Sequence, residues 1–200
     1  MAKALAPYDA LQVVQGPSVT PVTVAECKDH LRLDFADDDA YIGTLLDTAV
    51  SFLDGTGALS KAMITQTWRQ YFSAGARALR LSIGPVQSVQ AVKYYDTSGN
   101  EQAASLSDFD VFGTSFATTV GVKSGKSWPV TQDRPDALWV EYVSGYGDAP
   151  SDVPDTLRHA IKFMVAHWYT SREPVGKKSL SDLPLGIAAL VNIHRGSWYG

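Results

Sequence analysis

Apolar residues recur at helical spacing toward both ends of this chain and at alternate positions through its middle. The longest unbroken pattern is Pro154–Arg172. There Leu157, Ile161, Met164, Val165 and Trp168 fall on one stripe while Arg158, Lys162 and Arg172 lie off it, so the spacing predicts an amphipathic helix with one covered face. Pro154 suits the first helical position, Asp152 is placed to cap it, and Pro174 stops it. Nearer the start, Thr23 and Glu26 form a capping-box pattern around a short helix carrying Val24, Cys27 and Leu31. From Asp37 a second helix is expected, with Ile42, Leu45, Leu46, Ala49 and Leu53 as its stripe and Gly55 and Gly57 closing it. Between these helices the period falls to two. Ile64–Phe72, Ala78–Ile83, Val86–Tyr95 and Leu138–Val143 read as strands, with shorter segments around Phe109–Phe112 and Ala117–Val122. A last short helix is expected at Pro184–His194, around Leu185, Ala188, Ala189 and Ile193.

The fold class is therefore α+β. A small antiparallel β module, residues 58–148, is inserted between a helical hairpin at 23–57 and the main helix with its loop at 149–183. Residues 1–22 contain Pro7, Gly16, Pro17 and Pro21 and no sustained period, and read as an extended arm that orders against a neighbour. Residues 184–200 hold the short helix and a tail in which Trp198 and Tyr199 have no evident home within their own domain.

A hydrophobic fraction of 45% is enough for a real core. The net charge of −4 is unevenly placed: residues 154–200 carry 6 Lys/Arg and 3 Asp/Glu, leaving 11 and 18 for residues 1–153. Wholesale wrapping of nucleic acid needs a concentrated basic footprint and is disfavoured, whereas contact between acidic and basic neighbours is favoured. The single cysteine, Cys27, excludes an internal disulfide and every multi-cysteine metal site. No uninterrupted apolar run approaches the ~20 residues that span a bilayer, and the N-terminus lacks the order of a signal peptide, so a soluble intracellular chain is expected.

The chemistry-bearing residues do not assemble into a motif. Cys27 and His30 share one short helix without an orienting third group, which makes core packing the better reading of Cys27. His159 and His167 are separated by about 12 Å along the helix axis and cannot readily share a metal. Asp34, Asp37, Asp38 and Asp39 fail as a calcium loop, with Ile42 where glycine belongs and Thr48 where glutamate belongs, and fit a helix N-terminus instead. Gly121–Ser127 is one residue short of a phosphate loop, and Trp128-Pro129 follows it in place of a helix. Arg69, Arg77, Arg80 and Lys93 are scattered among acidic residues. No catalytic residue, cofactor site or metal site is expected. Five tryptophans and nine tyrosines point instead to packing and interfaces.

The run YVSGYGDAPSDVPDTLRHAIKFMVAHWYTSRE, residues 142–173, resembles the signature of the head-to-tail connector, or adaptor, proteins of long-tailed phages. Residues 23–53 are similar to the opening helical pair of that family and residues 58–72 to the segment that follows, while residues 100–136 find no counterpart. The resemblance, which spans about residues 20–195, implies a helical bundle of connector type. Thr23–Leu53 and Pro154–Arg172 would form the body of a ring of twelve subunits, with Leu45, Leu157, Ile161, Met164, Val165 and Trp168 in its packing. It further implies a position in the neck of a phage or phage-like particle, gene transfer agents included, after assembly in the bacterial cytoplasm. Portal protein would lie on one side, a stopper or tail-completion protein on the other, and double-stranded DNA would pass through without being held. The C-terminal segment, with Leu185, Ile193, Arg195, Trp198 and Tyr199, would reach the portal. The same resemblance implies no cofactor and no membrane contact. A tail-completion or stopper protein of the same neck is the alternative, and an enzyme of unknown class the lesser one.

Overall fold

The computed structural model describes residues 10–75, 78–114, 117–171 and 185–195. The chain divides into two compact units, one of Met1–Gly16 with Thr65–Gly145 and one of Pro17–Ile64 with Tyr146–Gly200. Helices and antiparallel sheets are both present, as an α+β chain requires.

The helical unit contains α1 (Val24–Leu31), α2 (Asp39–Leu53), α3 (Asp155–Thr170) and α4 (Leu185–His194). The capping box ahead of α1 forms as the sequence predicts: Glu26 N–H donates to Thr23 Oγ1 at 3.2 Å and Thr23 N–H donates to the Glu26 carboxylate at 2.8 Å. Helix α2 starts two residues later than expected, with Asp38 as an N-cap residue that makes no side-chain cap bond. At its end Gly57 passes so close to the helix that an added Cβ would stand 2.5 Å from the Phe52 carbonyl oxygen. The expected cap of α3 is corrected. Asp152 accepts from Ala149 N–H at 2.9 Å in the preceding 3-10 turn, and Pro154 occupies the cap position of α3.

The predicted stripes meet in one core. Ile42, Leu46, Ala49 and Leu53 of α2 are buried with Leu157, Ala160, Ile161, Met164 and Val165 of α3, joined by Val22, Cys27, Met63, Ile64, Ile187 and Val191. Leu45 and Trp168 are partly buried at its margin.

The β unit contains β1 (Leu11–Gln15), β2 (Gln66–Phe72), β3 (Leu79–Leu81), β4 (Val86–Tyr95), β5 (Glu101–Ala104), β6 (Phe109–Thr114), β7 (Ala117–Val122) and β8 (Leu138–Ser144). A five-stranded sheet runs β1-β2-β8-β4-β5 and a three-stranded sheet runs β3-β7-β6. Strand β2 alternates buried and half-buried positions throughout, the period of two that identified it. Its buried positions are Gln66, Trp68, Gln70 and Phe72, so half of that covered row is polar.

Residues 1–22 are not purely an arm awaiting a neighbour. Leu11–Gln15 pairs with β2 along Leu11↔Gln70 to Gln15↔Thr67, and Val22 is fully buried in the helical core. Both segments find backbone or apolar partners within their own chain.

Candidate assembly interface

Helix α4 is anchored to the helical unit by its own side chains. Ile187 and Val191 are buried in the core and Leu190 packs against it. At its C-terminal end the His194 ring lies 2.6 Å from Thr156 Oγ1 of α3, and Arg195 Nε–H donates to the Ala58 carbonyl at 3.2 Å. These contacts leave Ile193 outside, 63% exposed. Of the residues expected at the portal contact, Leu185 opens α4, and Ile193 and Arg195 stand together at its exposed end. Trp198 and Tyr199 lie outside the described residues. Of the packing residues, Leu157, Ile161, Met164 and Val165 lie inside the subunit, and their burial is accounted for there.

The helices are cross-linked by polar groups that the sequence pattern had placed off the stripes. Arg158 of α3 pairs with the Glu26 carboxylate of α1 and donates from Nε to the Pro21 carbonyl at 3.1 Å. Burial would raise the Glu26 pKa, but the Thr23 hydrogen bonds, Arg158 and Lys162 together hold it below the ordinary value for a glutamate. Tyr169 donates its hydroxyl proton to Asp38, and Lys28 pairs with Asp39 at 2.6 Å. Two members of the acidic cluster, Asp38 and Asp39, thus join helices. Among the described residues no group of three or more His, Cys, Asp or Glu side chains is arranged to hold a metal.

Cys27 is buried, and desolvation, with Glu26 next, pushes its thiol up to about 11, which keeps it protonated and poorly nucleophilic at neutral pH. His30 faces α3. Its ring centroid is 5.7 Å from that of His159 and 5.3 Å from Phe163. The histidine pairing missed by spacing along α3 is therefore one between helices. Gly121 and Val122 end strand β7, and the residues up to Ser127 turn away from it with their lysines engaged: Lys126 pairs with Asp108 at 2.7 Å, and Lys123 donates to the Ser107 carbonyl at 2.9 Å. In the β unit Trp139 packs against Tyr71 and Tyr95, at centroid distances of 5.9 and 5.1 Å, with the Arg134 guanidinium over Tyr95.

His30 gives the helical unit a pH dependence. Burial, then the neighbouring His159 and Lys162, push its pKa below the ordinary 6.5, so the folded state favours the neutral ring. Burial and then Lys61 act in the same direction on His194. The stabilisation is complete above about pH 6.5 and is lost as the pH falls below that value, because the unfolded chain then binds the additional protons. Glu26 titrates lower and falls outside this window. The unfolding temperature, followed by far-UV circular dichroism, should drop on going from about pH 7.5 to about pH 5.5. His30→Asn should remove part of the drop, and an unchanged pH slope in that variant would count against the assignment.

What these features make is a chain with two packed units, a neutral buried thiol, helix-joining carboxylates and an outward apolar residue on a docked helix. A family model described as phage gp6-like head-tail connector protein matches residues 21–120, and the chain belongs to this family. It is a structural head-tail connector protein and not an enzyme.

Three solved chains from gene transfer agent (GTA) particles are similar to it over nearly their whole length. One, from the virion of a native GTA particle, has a TM-score of 0.75 at 24% identity, covering 95% of this chain and 98% of that one. Another, from the neck of an empty GTA particle computed with C6 symmetry, has a TM-score of 0.75 at 25% identity, covering 96% and 98%. The third, from the neck of a native GTA particle computed with C12 symmetry, has a TM-score of 0.73 at 22% identity, again covering 96% and 98%. No curated protein sequence matches the chain.

Proposed function

We propose that this chain is the adaptor subunit of a phage or phage-like neck, forming a ring of twelve between the portal and a stopper or tail-completion protein and enclosing a channel for double-stranded DNA. The observation that carries this reading is its likeness, over 96% of its length, to a chain in a neck of C12 symmetry, together with its membership of the head-tail connector family. The exposed end of α4, with Ile193 and Arg195, is assigned to the portal contact. A net charge of −4 suits a channel wall that lets a polyanion slide past, since tight phosphate binding would arrest it.

Electron microscopy of the purified chain mixed with the purified portal of its own particle tests the proposal. A twelvefold layer seated on the portal is expected. A portal that stays bare in the mixture, with the chain found only at the tail-side face of the neck in whole particles, would make the chain a stopper or tail-completion protein instead.

A further inference from the structure

The margins of the two sheets are not equally defended. Four strands stand at them: β1 and β5 in the five-stranded sheet, β3 and β6 in the three-stranded one. A sheet margin presents unpaired N–H and C=O groups to any extended chain, and stable monomers blunt it with charge, bulges or short strands. Strand β3 has three residues with Arg80 at its centre. Strand β5 has four residues and opens on Glu101, which pairs with Lys93 at 2.9 Å. The stretch of β4 beyond β5 carries register shifts at Val86/Ser88 and Val89/Ala91.

Strand β6 has none of these protections beyond its second residue. It pairs with β7 through six consecutive positions, Phe109↔Val122 to Thr114↔Ala117, without a register shift. Its one charge is Asp110, and Val111 and Phe112 are 52% and 54% exposed. The Phe112 ring leans inward over β7, lying 2.9 Å from where a Cβ on Gly121 would stand. Among the described residues no strand is paired with β6 on the side away from β7. Strand β1, LQVVQ, is also uncharged and exposes Val13 and Val14 at 47% and 48%, with a single irregularity between Val13 and Gln15. The β unit therefore carries two weakly defended edges of similar length and composition.

We infer that β1 of one copy pairs with β6 of a second copy, joining the five-stranded sheet of one subunit to the three-stranded sheet of the next. The inference rests on the ring reading above, and specifies the contact that repeats around it. A closed ring of identical subunits needs a contact between two different patches. Strands β1 and β6 are two such patches, whereas β6 against β6 would be self-complementary and would stop at a dimer. Backbone pairing supplies the contact, with Val13 and Val14 laid beside Val111 and Phe112 to exclude water from it.

Two blocked full-length variants test this by sedimentation velocity over a concentration series. Val111→Lys/Phe112→Lys blocks β6, and Val13→Lys/Val14→Lys blocks β1. Val111→Lys alone is the companion that keeps the Phe112 ring over Gly121, should the double change unfold the hairpin. Wild type is expected to associate with rising concentration. Each blocked variant alone should lose higher association, and an equimolar mixture of the two should form a one-to-one dimer through its single intact junction.

A β1-blocked variant that dimerises alone would overturn the pairing in favour of β6 against β6. So would blocked variants that associate like wild type, or a wild type that stays monomeric at its highest soluble concentration. Microscopy separates this from the parent reading. Blocked copies that still close a ring on the portal defeat the strand pairing and leave the adaptor role standing, whereas edge-dependent dimers from a chain that never forms a ring do the reverse.

Discussion

Changing Trp198 and Tyr199 to alanine should leave the subunit folded and weaken its attachment to the portal by about 1–3 kcal/mol per subunit, the range for aromatic residues at interface centres. Helix α4 is held to the helical core through Ile187, Val191 and the His194–Thr156 hydrogen bond, so the segment that follows Arg195 starts from a fixed point. Ile193, one residue before the end of that helix, is exposed. Repetition around a ring multiplies a modest loss at each subunit, although the terms need not add strictly. Binding of the variant to purified portal measures the effect, and thermal unfolding by circular dichroism provides the folding control. Unchanged portal binding with a native melting curve would refute the anchor. Loss of folding would place the two rings in the subunit's own core.

The helical unit is legible in the sequence because its covered faces are apolar at helical spacing. Leu157, Ile161, Met164 and Val165 announce α3, and the same residues line the core. The Thr23 and Glu26 capping box is legible for a related reason, since both halves of the device lie within four consecutive residues. The β unit is less so. Strand β1 has mostly exposed positions and sits at a margin, so LQVVQ gives no alternation to detect, and EQAA of β5 is equally silent. Their pairing is set by backbone hydrogen bonds to β2 and β4, which leave little mark on side-chain choice.

Contacts between distant segments are the other illegible class. Arg158 lies off its helix's apolar stripe, and nothing in the spacing shows that it meets Glu26, 132 residues away. His30 and His159 are likewise brought together only by the packing of α1 on α3. For the candidate interface, the sequence supplied Ile193 and Arg195 through the family resemblance, while the open margin of β6 emerged only once the strand order was known.

Gln70→Ala should destabilise the β unit by about 3–5 kcal/mol, a loss far above that of an ordinary surface substitution. Gln70 is 0% exposed and stands in the covered row of β2. Its Nε2 donates to the Arg80 carbonyl and to Ser82 Oγ, both at 3.0 Å, and its Oε1 accepts from Ser82 N–H at 2.8 Å. The Tyr142 hydroxyl also donates to Oε1 at 3.4 Å while accepting from Ile83 N–H at 3.3 Å. Burial pushes the Tyr142 pKa up, so that proton remains available. One side chain therefore ties the β2 face to β3 and the residues that follow it.

Truncation would leave the Ser82 amide and the Arg80 carbonyl without this partner and would open a cavity, each costing on the order of 1–3 kcal/mol. Gln70→Leu separates the two terms, because it refills most of the volume and still removes the hydrogen bonds, and should cost about 2–3 kcal/mol. Ser82→Ala should cost less than about 1 kcal/mol, since its backbone N–H keeps Gln70 as acceptor. Urea unfolding followed by tryptophan fluorescence reads the change, with Trp68 and Trp139 buried in the same unit. A Gln70→Leu variant as stable as wild type would mean that apolar packing can replace this polar tie without loss, and that the glutamine is not what holds β3 to the five-stranded sheet.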